Sequence, residues 1–352
     1  MQIIKGKVKN IKKVNKEQYV YDITVQDNHN FFANNILVSN CHHIAADTFL
    51  QVSKSAINAY YRVGVSATPW REDGADLLIE ASLDKKNEKH DISASYLIDR
   101  KYLVPCNIYM VNIPEVFQGK TYDKLYKAAI VNNNKRNFIA CKIALKMREM
   151  NNSTVLMLIQ QVQHGRNIFK ALGEALERRG ILKKTGSKDI YDNDKNVIDV
   201  LPIYDGKRIS VTDPMNGKQQ LVKVCYLELL TGEDSALRRT AVIEGVKQGI
   251  VKILIGSTIA DEGLDIPNLD CLILLSAGKS STKAFQRIGR VLRNYEEKDD
   301  KGNITYKKQK AVVFDFIDNT PMLLRHSKRR IKMYKTEPAW NISKFDLDLL
   351  NQ

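Results

Sequence analysis

The chain has 352 residues, more than one compact core usually holds, so two or three domains are expected. Its hydrophobic content of 43% and aromatic content of 8% are those of globular proteins, which excludes a disordered or fibrous chain. The net charge of +15 points to a polyanionic partner, whereas no stretch approaches the roughly 20 apolar residues of a membrane span.

The Lys-rich start lacks the apolar run of a signal peptide, and Cys41, Cys106, Cys141, Cys225 and Cys271 form no Cys-x-x-Cys pair. Both features suit a reducing cytoplasm, of a bacterial or phage-infected cell, with no membrane partner.

In residues 1–40 the alternation Tyr19, Tyr21, Ile23, Val25, followed by Phe31-Phe32 and Ile36-Leu37-Val38, predicts two β-strands around the polar turn 26–30. The segment ends at Asn40, and Cys41 follows. An Asn side-chain amide can attack its own carbonyl and close a succinimide, cutting the chain. A Cys thiolate just beyond can accept an acyl group from a thioester. Enforced geometry supplies most of the rate of such an intramolecular attack. His29 and Asp22 are the titratable groups available to assist it.

The run Tyr21-Asp22-Ile23-x-Val25, then His29-Asn30-Phe31, then Asn35-Ile36-Leu37-Val38-Ser39-Asn40-Cys41 resembles the two closing motifs of the intein family at their usual spacing. Two positions depart from that pattern. Ser39 stands where His is usual, as in DnaE-type split inteins, and Asn35 stands where Gly is frequent. The intein-like part begins at Met1, without an N-terminal nucleophile or an endonuclease insert, so it resembles the separately translated C-terminal half of a split intein. That resemblance makes Asn40 and Cys41 the splicing residues, with no cofactor required.

From residue 41 onward, helical spacing at 45–56 and 76–81 flanks a β-rich run at 60–65, and strand signals cover 96–114. A long amphipathic helix is expected at 134–150, a buried strand at 154–159 and a helix at 165–179. Further buried-type strands are expected at 224–230, 253–257, 271–275 and 311–316. Apolar strands separated by helices indicate a parallel α/β sheet. Residues 181–223 interrupt that rhythm with a polar, β-rich insertion carrying a hairpin signal at Asp213-Pro214-Met215-Asn216-Gly217.

Four stretches carry chemistry. Cys41-His42-His43-Ile44-Ala45-Ala46-Asp47 resembles the second half of a helicase Asp-Glu-x-His box, whose Mg²⁺-binding Asp-Glu would come from a partner polypeptide. Ser66-Ala67-Thr68-Pro69 resembles helicase motif III, where small hydroxyl residues couple the phosphate site to the nucleic-acid groove. Gly256-Ser257-Thr258-Ile259-Ala260-Asp261-Glu262-Gly263-Leu264-Asp265 resembles motif V. That resemblance implies that backbone N–H groups around Thr258 meet a nucleic-acid phosphate and that Gly263 and Asp265 stand at positions that touch the nucleotide. Gln286-Arg287-Ile288-Gly289-Arg290-Val291-Leu292-Arg293 resembles motif VI on a helix. Arg290 and Arg293, three apart and so on one helical face, are the candidate arginine fingers.

Gly278-Lys279-Ser280 ends like a Walker A loop, but the full motif would need Gly where Ile273 stands. Without that loop the chain is expected to be inactive as an ATPase by itself. Arg325, Lys328, Arg329, Arg330, Lys332 and Lys335 form a basic run with no acid, and Arg329 and Arg330 are its candidate nucleic-acid contacts.

Residues 41–352 thus resemble the C-terminal two-thirds of superfamily 2 helicases of the XPB-like and phage UvsW-like kinds. The resemblance implies an α/β protein with an incomplete first and a complete second RecA-like domain, preceded by a small all-β intein (HINT-type) segment. It also implies ATP and Mg²⁺ as cofactors, with His42, Gly263, Asp265 and Gln286 toward the nucleotide and Ser66, Ala67 and Thr68 as the coupling motif. No metal would be held by this chain alone. The expected division is 1–40, 41–118, 119–320 with its insertion, and a basic tail at 321–352.

The expected function is trans-splicing with an N-terminal half that brings Walker A and the motif II Asp-Glu, yielding an ATP-dependent DNA helicase. The alternative is a non-splicing, nucleic-acid-binding helicase remnant.

Overall fold

The computed structural model describes residues 30–33, 36–40, 62–65, 92–192, 194–257, 266–276, 278, 280–298 and 303–350. It divides into two compact units, 1–91 and 92–352. Asp22, His29, Cys41, His42, Ser66, Ala67, Thr68, Thr258, Gly263 and Asp265, and the helices expected at 45–56 and 76–81, lie outside the described residues.

In the first unit, β1 (Asn30–Ala33) runs antiparallel to β2 (Ile36–Asn40), which runs parallel to β3 (Arg62–Val65). The register sets Phe31 against Val38, and Asn40 against Val65. The expected strand over 19–25 lies outside the described residues, and the expected second strand is split in two. Phe31-Phe32 and Ile36-Leu37-Val38 pair with each other as two strands. The strand ending at Asn40 also shares a sheet with the run that leads to Ser66.

The second unit opens with helix α1 (Ala94–Asp99), whose first turn is capped by Ser93 Oγ accepting from the Tyr96 N–H at 3.2 Å. It continues through β4 (Cys106–Ile113), α2 (Tyr122–Tyr126), a π turn (Lys127–Val131), α3 (Asn134–Asn151), β5 (Val155–Leu158) and α4 (Val162–Arg178). Two antiparallel hairpins follow, β6 (Lys184–Tyr191) with β7 (Val197–Tyr204) and β8 (Lys207–Thr212) with β9 (Gln219–Val224).

Then come β10 (Leu227–Leu230), α5 (Ala236–Lys247), β11 (Ile253–Gly256), β12 (Cys271–Leu274) and α6 (Ser281–Val291). The chain goes on through β13 (Glu296–Lys298), β14 (Ile304–Lys307), β15 (Ala311–Asp318), α7 (Pro321–Tyr334), β16 (Trp340–Lys344) and a 3₁₀ turn at Leu347–Leu350.

Seven strands form one all-parallel sheet in the order β10-β11-β5-β12-β15-β4-β16. Its inner strands read Val-Leu-Met-Leu, Ile-Leu-Ile-Gly and Cys-Leu-Ile-Leu, and every residue is buried because helices cover both faces. Side chains alternate between the faces. Leu156, Leu158, Leu272 and Leu274 meet Val242 of α5, Ile288 of α6 and Tyr334 of α7. Val155, Met157, Cys271 and Ile273 meet Ile143 of α3 and Leu172 of α4. Each such aliphatic side chain contributes about 1.5–3 kcal/mol by leaving water.

Three expectations change. Residues 96–114 split into α1 and β4, and β4 sits between β15 and β16, so 92–118 belong to the second unit. The strand expected at 224–230 starts at Leu227, because Val224 ends the preceding hairpin. Residues 321–352 are no tail: α7 packs on the sheet through Leu323 and Tyr334, and β16 pairs with β4.

The hairpin β6–β7 leans on α4. Asp199 pairs with Lys170, and the Tyr204 ring lies over Gly173, where any Cβ would stand 1.9 Å from the phenol oxygen.

Candidate nucleotide and nucleic-acid interface

Parallel α/β sheets offer their ligand sites outside the carboxyl ends of the strands. At that edge β12 delivers Ser276 and Gly278, and three side chains converge on the short segment they form. Tyr126 Oη donates to the Ser276 carbonyl at 2.8 Å, Arg287 Nη1 donates to Ser276 Oγ at 3.0 Å, and Arg330 Nη1 donates to the Gly278 carbonyl at 2.9 Å.

Ser280 then caps α6, its Oγ accepting from the Lys283 N–H at 3.1 Å. The Ser280 of the Gly-Lys-Ser decoy is therefore a helix cap. Side chains on a helix tilt toward its N-terminus, which brings Arg287 back to the sheet edge.

Within α6, Gln286, Arg287 and Arg290 are half-buried, and Arg290 sits in the last turn. The helix stops at Val291. Arg293 lies beyond it in a β-bridge with Leu103, flanked by the Val104 N–H donating to the Leu292 carbonyl at 2.8 Å. Arg290 and Arg293 thus do not share a helical face; backbone pairing with the segment before β4 ends the helix between them. At the same end Lys308, 2% exposed, donates to the carbonyls of Val291 at 2.6 Å and Leu269. Burial pulls its pKa down to about 8, against the opposing pull of Asp270 and Cys106.

Arg330 is also relocated. It is 2% exposed and grips Asp315 with Nε–Oδ2 at 2.8 Å and Nη2–Oδ1 at 2.9 Å, while Tyr334 Oη donates to the same carboxylate at 2.8 Å. Burial opposes the guanidinium's charge, but Asp315 more than offsets this and raises its pKa. A side chain so enclosed has no reach to a phosphate backbone, so the nucleic-acid assignment of Arg330 is withdrawn. Arg329, its exposed neighbour, keeps that role open.

A second buried polar group lies where β15 ends. Arg136, fully buried, donates from Nε to Asp318 Oδ1 at 2.9 Å and stacks its guanidinium 4.3 Å from the Phe316 ring centre. Nearby His164 Nε2 meets Asn137 Oδ1 at 2.9 Å, and the Asn137 amide donates to the Val131 carbonyl. Burial, then the Arg136 charge, lowers the His164 pKa to about 3, so its imidazole is neutral.

The residues brought to the Ser276–Gly278 edge are thus Arg287, which the sequence offered only as part of the motif VI run, Arg330, which it offered in a different role, and Tyr126, which it did not single out. One signal was present: Asp315 is a carboxylate inside the apolar run Ala311–Phe316, and a buried charge demands a partner.

Residues 209–295, from β8 through α6, match the helicase conserved C-terminal domain. Over 315 residues the chain is 25% identical to "Putative helicase 22" of Sulfolobus islandicus filamentous virus, covering 86% of this chain and 45% of that protein. Over 272 residues it is 22% identical to DNA 3'-5' translocase XPB2 of Sulfurisphaera tokodaii, covering 74% and 56%. The chain therefore spans about half the length of these curated relatives. A solved fragment assigned to an HsdR subunit of a type I restriction enzyme from Vibrio vulnificus superposes with a TM-score of 0.52 at 14% identity, covering 89% of this chain and 48% of that one. The parallel α/β unit matches the fold of RecA-like helicase domains, and residues 209–295 carry the likeness to the helicase conserved C-terminal domain.

Proposed function

We propose that this chain is the C-terminal part of an ATP-dependent DNA helicase, joined to its N-terminal part by protein trans-splicing at Asn40–Cys41. One observation carries the helicase half of the reading. The region matching the helicase C-terminal domain includes α6, whose Arg287 and Arg290 sit on a helix anchored at the ligand edge of a parallel sheet. Planar guanidinium groups in such a place suit the charge spread over phosphoryl oxygens. The partner half would bring Walker A and the Asp-Glu pair, with ATP and Mg²⁺ held between the halves. In this reading the roles toward nucleic acid and nucleotide fall to Thr258, Gly263, Asp265 and Gln286, as their motifs imply.

In the splicing step the thiolate of Cys41 takes the acyl group of the partner's thioester. The Asn40 amide nitrogen then attacks its own carbonyl and expels the Cys41 amine, closing the succinimide. That amine displaces the thioester sulfur, leaving a peptide bond. The other thiols do not compete at neutral pH: burial raises Cys106 and Cys141 to about 12 and Cys225 to about 11.

Mass spectrometry after co-expression with a polypeptide carrying Walker A and an intein N-half tests the reading. The expected products are a longer ligated chain and the free 1–40 segment, both lost in Asn40→Ala/Cys41→Ala. An intact junction beside an active half would leave the remnant reading, and DNA-stimulated ATP hydrolysis by the ligated chain tests the helicase part.

A further inference from the structure

Helix α7 divides its residues cleanly. Leu323, His326, Ser327, Arg330 and Tyr334 are buried, whereas Arg325, Lys328, Arg329, Lys332 and, at the C-cap, Lys335 are exposed. The exposed set recurs at steps of three, one, three and three, which places it along one face. No Asp or Glu occurs between Asp318 and Glu337. Among the described residues none of the five forms an ion pair, whereas Lys135, Lys170, Arg178 and Lys307 all do, with Glu115, Asp199, Glu174 and Glu296.

Like charges one helical turn apart repel, and nothing on this helix offsets that. The helix dipole accounts only for the last turn, where Lys332 and Lys335 sit; it gives no benefit to Arg325, nearer the start. The ladder is also held rigid. Arg330 ties the helix to Asp315 from beneath, and Ser327 Oγ donates to the Phe316 carbonyl at 3.1 Å.

From these observations we infer that the outer face of α7, which in sequence lies outside the motif V and motif VI segments, is a docking surface for a nucleic-acid phosphate backbone. From Arg325 to Lys335 the ladder spans about 15 Å at about 1.5 Å per residue. One strand of duplex DNA presents a phosphate about every 3.4 Å of axis, so roughly four phosphates face five cations. The inference rests on the reading that the protein works on nucleic acid, and it names where the polymer is held outside the ATP-dependent motifs.

The test uses the full 352-residue chain, without ATP or a partner half. Binding of a short fluorescent duplex is followed by anisotropy over a series of salt concentrations, for the natural chain and for Arg325→Gln/Arg329→Gln/Lys332→Gln. With three phosphate contacts removed, the slope of log affinity against log salt is expected to fall by about 2.7, and low-salt affinity to drop about tenfold or more. A control, Lys184→Gln/Lys188→Gln/Lys207→Gln, removes the same charge from the exposed hairpins and is expected to change the slope by less than one unit, about one contact's worth. All five α7 positions are exposed, so the variants should keep the natural melting temperature. Should the triple variant lose structure, Lys328→Gln/Lys335→Gln repeats the measurement.

Equal losses in control and α7 variants would overturn the inference, leaving net charge as the cause. So would an unchanged α7 variant, a natural chain that binds no duplex, or one that binds anionic phosphatidylserine vesicles in its place. None of these touches the splicing or ATPase assays, which judge the wider reading separately.

Discussion

Arg330 and Asp315 form a two-pronged ion pair inside the second unit, at 2.8 and 2.9 Å, with the cation 2% and the carboxylate 1% exposed. Through its third nitrogen the same Arg330 holds the Gly278 carbonyl, so one side chain connects the interior strand β15, helix α7 and the segment that starts α6. Removing one partner strands a charge in the core, which costs about 3–5 kcal/mol. Arg330→Ala and Asp315→Ala are each expected to fall in that range in urea unfolding. The paired change Arg330→Met/Asp315→Leu, which leaves no orphaned charge, should cost less than either. Amide exchange over 281–291 should rise in Arg330→Met/Asp315→Leu even so, because Gly278 has lost its donor.

His164 gives a pH dependence of definite sign. Burial and the Arg136 charge hold its pKa at about 3, well below the usual 6.5. The unfolded chain therefore takes up a proton between pH 6.5 and 3 that the folded chain refuses, and stability present above pH 6.5 is lost as pH falls through that window. His164→Gln keeps a hydrogen-bonding group facing Asn137 but cannot titrate. The difference in melting temperature between natural and variant chains should move against the natural chain from pH 7 to pH 5.

Lys308 acts in the alkaline range. Its pKa is lowered to about 8 by burial, from an ordinary 10.5, so the fold prefers it neutral. Stability should then rise from pH 8 to 10.5, opposed by buried tyrosines and cysteines whose raised pKa values resist deprotonation. Comparing with Lys308→Met cancels those shared groups. The natural chain should gain on the variant between pH 7.5 and pH 10, by calorimetry at each pH.

The parallel sheet was legible because its strands are covered on both faces and so read as unbroken apolar runs, as at Val155–Leu158 and Cys271–Leu274. The segment 96–114 was less so: Tyr96, Leu97 and Ile98 suit a strand by composition, but the Ser93 cap turns them into a helix. Arg330 was hidden in a run of like charges. Composition does not say which one of Lys328, Arg329 and Arg330 turns inward; that is decided by Asp315, thirteen or more residues earlier in the chain. The end of α6 was equally hidden, since the β-bridge that displaces Arg293 joins it to Leu103, far away in sequence.

That displacement separates the two candidate arginine fingers. Arg290 is in the last turn of α6, whereas Arg293 is fixed by backbone pairing past its end, so the two cannot act as an interchangeable pair. In the ligated helicase, Arg290→Ala is expected to lower kcat for ATP about a thousandfold, the lower end of what an arginine finger supplies. Duplex affinity should stay within about twofold, because the phosphates of the nucleic acid are contacted elsewhere. Arg290→Lys should recover little, since a point charge lacks the planar fork that spans two phosphoryl oxygens. Steady-state ATPase and anisotropy on the same preparations decide it. Near-natural turnover in Arg290→Ala would remove that residue from the ATPase, and equal loss of kcat and DNA affinity would make it a structural residue of α6.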